Sequence, residues 1–283
     1  MTATVYFNGE YMPKEQARIS PDDRGFLFAD GIYEVVRSYD GRLFELDAHL
    51  GRLANGLRAL RIDGVDVNGL GDVVRRLIAE NQLVRGDATV YLQVTRGAAP
   101  RVHAFPDPPV PPTLYAEARR LEPRGDPEIG VAVITVPDTR WARCDIKSIG
   151  LLANCLASQR AREAGAVEAV FVRDGVALEA SASSLFAVIG GEVRTGPITN
   201  YVLPSITRAV VQRLCAEAGI PHRETPIFVD EIPGADELFL AGTTLEVMPV
   251  VSVDGVEIGA GTPGPVTRRL YDLFKLETAR AGV

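Results

Sequence analysis

Lysine is nearly missing from this 283-residue sequence: Lys14, Lys147 and Lys275 are the only three among 30 basic residues, and the rest are arginine. Histidine is as sparse, and His49, His103 and His222 stand too far apart to suggest a metal centre. Cys144, Cys155 and Cys215 are odd in number and form no Cys-x-x-Cys pair, which argues against a disulfide frame or a zinc site and fits a reducing cytoplasm. No apolar run approaches the length a bilayer requires. The opening "MTATVYFNGEYM" lacks a basic stretch followed by an apolar one, so no secretory signal is expected. A formal charge of −7 weighs against a nucleic-acid surface, which would cluster positive charge.

What is present describes an ordinary globular chain, 46% apolar and 24% charged, long enough for one or two domains. Four Asn-Gly or Asp-Gly pairs, at 8–9, 40–41, 174–175 and 254–255, lie between β-forming runs and supply the positive φ angles of tight hairpins. Helical spacing of apolar residues recurs in 47–61, 68–83, 150–164, 204–218 and 264–280, with Gly165 and Gly219 as C-terminal stops. Hairpins and helices interleave without a βαβ rhythm, so an α+β fold with mostly antiparallel sheets is expected. "FPDPPVPPTL" (105–114) is an extended loop, and "EPRGDPEIG" (122–130) marks a boundary between residues 1–122 and 123–283.

Lys147 sits in "TRWARCDIKSIGLLANCLASQRA" (139–161), between an apolar run and a helix start. A poorly solvated ammonium loses its proton readily and becomes a nucleophile suited to Schiff-base chemistry. The same residue could equally run its stem along the core and leave its head in water. Glu179 ends a strand and precedes the small residues Ala180 to Ser184, a place where backbone can approach a flat ring and a carboxylate can face a ring nitrogen, or an ordinary turn. Phosphate needs helix-start amides, hydroxyls and a cation. "VLPSITRAVVQRL" (202–214) offers Ser205, Ile206 and Thr207; "LFLAGTTLEVMPV" (238–250) offers Thr243 and Thr244; His49 and Arg52 share a helix face. Arg101 and His103 alternate in an expected extended segment, where they could trap a carboxylate or simply be solvated.

Together "FNGEYM", "DIKS", "LEASASSLF", "ITR" and "AGTTLEVMPV", in this order over most of the chain, resemble the class IV, fold-type IV family of pyridoxal-phosphate enzymes. That family holds D-amino acid, branched-chain and (R)-amine aminotransferases and 4-amino-4-deoxychorismate lyase. "FADGIYEVVRSYDGRLFELDAHLGRL", "VYLQVTRGAAPRVHAFP" and "RWARCDIKSIGLL" are most similar to its D-amino acid branch, and the branched-chain stretch "GDVGMGV" is absent. The resemblance implies a small N-terminal α/β domain, a larger C-terminal domain with a barrel-like core, and ping-pong transamination between D-amino acids such as alanine or glutamate and 2-oxo acids such as pyruvate or 2-oxoglutarate. It implies pyridoxal 5′-phosphate on Lys147, Glu179 at the ring nitrogen, Ser183 beside the cofactor, and Arg52, Ile206, Thr207 and Thr243 at the phosphate. Tyr33, Arg101 and His103 would bind the substrate carboxylate, with Val35 and Thr244 nearby. A homodimer is implied, with Arg101 and His103 reaching across its interface. The loop Ala180–Ser184 departs from the D-specific pattern of glycine, serines and asparagine, at Ala182 and Ser184 above all.

Overall fold

The Asn-Gly and Asp-Gly pairs at 8–9, 40–41, 174–175 and 254–255 are two-residue hairpin turns in the computed structural model, which describes residues 3–280. Both residues of each pair have positive φ, from 48° at Asn8 to 100° at Gly9, as the twist-matched hairpin turn demands. Gly165 and Gly219 also sit at positive φ just beyond their helices, where a Cβ would be strained. The chain divides into two compact units: one holds the residues up to Glu122 together with Ile146–Gly150, the other holds Pro123–Asp145 and Leu151–Arg280. Lys147 therefore packs with the first unit although it follows residue 123 in the chain.

The first unit contains β1 (Thr4–Phe7), β2 (Glu10–Pro13), α1 (Arg24–Phe28), β3 (Gly31–Tyr39), β4 (Arg42–Leu43), α2 (Leu46–Leu60), α3 (Leu70–Glu80), β5 (Asp87–Thr95) and β6 (Thr113–Arg120). Its six strands run antiparallel in the order β2-β1-β6-β5-β3-β4. Leu46, Leu53 and Leu57 recur at helical spacing on α2 and bury against Ile32 and Val36 of β3, with Val74, Leu77 and Ile78 of α3 in the same core. Truncating a residue as enclosed as Leu53 to alanine is expected to cost about 3 kcal/mol.

The second unit contains β7 (Val131–Pro137), α4 (Leu152–Glu163), β8 (Glu168–Arg173), β9 (Val176–Ala180), β10 (Ser184–Ile189), β11 (Glu192–Thr195), α5 (Ile206–Glu217), β12 (His222–Glu224), β13 (Ile227–Phe228), β14 (Glu237–Gly242), β15 (Glu246–Val253), β16 (Val256–Glu257) and α6 (Pro265–Arg280). Strands β10-β14-β15-β7-β8-β9 form a path that closes through Ser184 opposite Glu179, giving the barrel-like core of an α+β fold. After Glu237, which accepts from the Val266 and Thr267 amides of α6, β14 is apolar throughout because it is buried on both faces, inside the barrel and beneath α5 and α6. The pairings β7–β8, β7–β15 and β11–β12 are parallel, a departure from the hairpin pattern. Among the described residues no helix is long and apolar enough to cross a membrane.

Candidate active site

α4 begins only at Leu152; Lys147 is the central residue of a tight turn that Ser148 N–H closes on the Ile146 carbonyl at 2.7 Å, and Ser148 bridges to Ile32 on the edge of β3. β4 covers only the far end of that edge. Tyr33 N–H donates to the Lys147 carbonyl at 3.0 Å and Ile149 N–H to Gly31 at 3.1 Å, so Lys147 and Tyr33 are cross-strand neighbours on one face. The half-buried ammonium lies 4.3 Å from the Tyr33 ring centroid and donates to its hydroxyl at 3.3 Å. Val35, two residues on, shares that face and is also half-buried.

The opposite face of β3 carries Ile32, Val36 and Glu34, and Glu34 is completely buried. Arg52 grips both its oxygens, through Nε at 2.7 Å and Nη2 at 2.8 Å, and His49 Nδ1 lies 2.9 Å from Oε2. His49 and Arg52 do share a helix face, and Glu34 is what they meet. Burial alone would push the Glu34 carboxyl up, but the Arg52 and His49 contacts outweigh it and hold the pKa at about 2. Burial pushes His49 down, toward the neutral ring. The sequence reading missed Glu34, although the period-two alternation of "IYEVVRSY" already puts it on the apolar face.

In the second unit Glu179 is buried near the end of β9. Arg140 Nη1 donates to one carboxylate oxygen, and the backbone N–H of Leu203 donates to the other at 3.1 Å. Arg140 is itself fixed by two bonds to buried Asp138, at 2.9 and 3.1 Å, and lies over the Phe171 ring. The small-residue loop wraps a second carboxylate: Glu168 Oε2 accepts from Ala182 N–H and the Ser183 hydroxyl, both at 3.0 Å. The Ser183 proton is thus directed at Glu168. A Cβ on Gly242 would meet the Ser183 Cβ at 3.1 Å, so β14 can pass this loop closely because residue 242 has no side chain.

Ser205 caps α5 by accepting from Arg208 N–H at 3.2 Å, while the amides of Ile206 and Thr207 belong to the first turn, which has no intrahelical acceptors for them. Thr207 is buried, and Thr243 and Thr244 are half-buried in the turn between β14 and β15. Arg101 and His103 lie back in the first unit, both exposed. The segment is bent rather than extended, because three successive carbonyls, of Val102, His103 and Ala104, converge on Arg24. An extended strand would point them alternately to opposite sides. The two side chains nonetheless meet at one ring: His103 packs edge-on to Phe28 at 5.5 Å and Arg101 lies 5.4 Å from its centroid.

The family model of class IV amino-transferases matches residues 31–253. A D-alanine aminotransferase of Staphylococcus haemolyticus is 41% identical over 95% of this chain and 96% of that relative. One of Bacillus licheniformis is 40% identical over 94% of each chain. Among solved structures, the branched-chain amino acid aminotransferase from Thermobaculum terrenum, in its PLP holo form, superposes with a TM-score of 0.84 at 26% identity, covering 98% of this chain and 94% of that one. The Escherichia coli branched-chain enzyme gives 0.87 at 26% identity, covering 95% and 92%.

Proposed function

The chain belongs to the class IV aminotransferases, which use pyridoxal 5′-phosphate, and from that premise we propose that it transfers the amino group of a D-amino acid to a 2-oxo acid. The observation that carries the D-specific reading is the 41% identity to D-alanine aminotransferase over 95% of the chain. D-alanine or D-glutamate as donor, with pyruvate or 2-oxoglutarate as acceptor, is the substrate class proposed.

The residues present fit the cofactor. A carboxylate that pairs with a protonated ring nitrogen must stay ionised, and Glu179 accepts from a guanidinium and a backbone amide. The first turn of α5 presents amides and the Thr207 hydroxyl suited to a phosphate. When bound, the cofactor supplies an aldehyde that takes up the amino group and a ring that spreads the charge left when Cα loses its proton.

Lys147 is the covalent attachment point and the base at the donor's Cα; the Tyr33 hydroxyl 3.3 Å away orients its amine. Arg52 is assigned to the phosphate, as are Thr207, Ile206 and Thr243, and Glu34 fixes the Arg52 side chain. Arg101, His103 and Tyr33 hold the α-carboxylate and so select which face of Cα meets Lys147. Val35 and Thr244 line the substrate side, and Ser183 shapes the loop beside Glu179. Because Arg101 and His103 are exposed in the single chain, we assign them to the substrate of a partner subunit in a homodimer. The three free cysteines fit a cytoplasmic location.

The test follows the visible absorption of the cofactor-loaded protein with one donor per sample. The expected result is loss of the band with D-alanine and D-glutamate and persistence with L-leucine and L-glutamate. Loss with the L-acids alone overturns the D-specific reading in favour of branched-chain transamination.

A further inference from the structure

Arg24 belongs to none of the roles above, yet its side chain is almost sealed from solvent, at 4% exposure. A buried guanidinium is costly unless every donor is matched and its charge is countered. Here Nε donates to Asp30 at 2.8 Å, Nη1 to the carbonyls of Val102 and Ala104 at 2.6 and 3.2 Å, and Nη2 to that of His103 at 3.2 Å. Three of its four bonds therefore end on the backbone that carries His103 and follows Arg101.

The surroundings hold the same turn. Asp30 is shared with Arg96, which donates to both its oxygens at 2.7 and 2.9 Å and also caps the end of α2 at the Leu60 and Arg61 carbonyls. The Arg96 guanidinium lies 3.5 Å from the Phe105 ring centroid, so the far end of the turn is clamped as well. Arg24 N–H donates to the Gly97 carbonyl at 2.9 Å, and a Cβ on Gly97 would come within 2.0 Å of the Pro111 carbonyl oxygen. Only glycine permits that crossing. Finally, Arg24 lies 4.9 Å from the Phe28 ring, the ring against which Arg101 and His103 rest.

We propose that Arg24 is a positioning residue for substrate recognition: it folds residues 102–104 into a bend that presents Arg101 and His103 together, and so sets affinity for the α-carboxylate without touching substrate. This rests on the reading of Arg101 and His103 as the carboxylate ligands. Lysine cannot substitute, because one ammonium cannot reach Asp30 and three divergent carbonyls at once. Asp30 pairs with two of the four arginines that gather around Phe28 and Phe105, namely Arg24, Arg61, Arg96 and Arg101, so the turn keeps a positive surplus suited to an anionic substrate.

A double-mutant cycle on the cofactor-loaded enzyme tests it, with KM and kcat for D-alanine measured in the wild type, Arg24→Lys, Arg101→Ala and the double variant. Arg24→Lys is expected to raise KM about tenfold with kcat changed far less, as loss of charged hydrogen bonds acting on binding implies. Added to Arg101→Ala it should raise KM by clearly less than it does alone, because only His103 is then left for Arg24 to position. Amide hydrogen exchange should accelerate at residues 101–105 in Arg24→Lys and stay unchanged in α2 and α3. Phe105→Ala, at a half-exposed ring where the fold tolerates truncation, should raise KM in the same direction by a smaller factor. If Arg101→Ala leaves KM unchanged, the carboxylate assignment itself fails. If Arg101→Ala raises KM but Arg24→Lys adds its full effect on top, or leaves the turn's exchange unaltered, the positioning role is overturned.

Discussion

Glu34 in the first unit and Glu168 in the second are sealed from solvent to the same degree, at 0% and 1% exposure, yet their surroundings drive them to opposite charge behaviour. Glu34 faces a guanidinium that takes both its oxygens and a histidine that adds a third contact. Glu168 faces two serine hydroxyls and one backbone amide, all on Oε2, while Oε1 has no hydrogen-bond partner among the described residues. The cation beside it, Arg124, is 3.6 Å away and well exposed. Burial pushes Glu168 up and neutral donors do not reverse it; burial pushes Glu34 up as well, but Arg52 more than reverses it. Depth alone does not decide the charge of a buried carboxyl; the charge of its partner does. The strongly paired residue is built to hold a cation still, and the weakly paired one to hold a loop together.

Removing the carboxylate from the first region should break this contrast most sharply. Glu34→Ala removes the carboxylate that Arg52, at 10% side-chain exposure, grips with two bonds, and should destabilise the protein by about 3–5 kcal/mol in urea unfolding. A loss below about 1 kcal/mol would mean Arg52 finds another partner or water.

pH comes next in size, and the two residues should respond with opposite sign. For Glu34 the folded pKa of about 2 lies below the ordinary glutamate value of 4.5. The stabilisation, about 3 kcal/mol, is therefore fully present above pH 4.5 and is lost as pH falls from there toward 2. Comparing wild type with Glu34→Gln across that window should show the two converge at the acid end. For Glu168 the folded pKa is raised, so the folded state binds the extra proton and stability is lost as pH rises from 4.5 through the folded value.

The smallest effect should come from Glu168→Gln, which keeps the shape and an acceptor for the loop. The variant should match wild type below pH 4.5 and equal or exceed it at pH 8, judged by thermal unfolding. A variant markedly less stable than wild type at pH 8 would show that ionised Glu168 is held as firmly as Glu34.

How much of this was legible beforehand follows the range of the interactions. The hairpins at Asp40-Gly41 and Asp174-Gly175 and the helix of Leu53 and Leu57 depend on neighbours in sequence, and the sequence displays them. Lys147 stood out because arginine replaces lysine almost everywhere else and cannot form the same covalent bond. Its placement on the edge of β3 was not legible, since Lys147 and Tyr33 stand 114 residues apart and such a pairing leaves no periodicity. Glu34 could have been found from the alternation of its strand. Arg24 and Glu168 could not: most of their partners are carbonyls, hydroxyls and amides, which every residue or any serine can offer, so no pattern of residue types marks them. The bend at Arg101–His103 was misjudged as extended for the same reason.

The most direct measurement treats the cofactor-loaded protein with borohydride, digests it, and maps the cofactor by mass spectrometry. With only three lysines in the chain the assignment is unambiguous. Label on the peptide that carries Lys147, and on neither of those carrying Lys14 or Lys275, is the expected result. Label on another lysine, or on none, would contradict the chemistry from which every proposed site role follows.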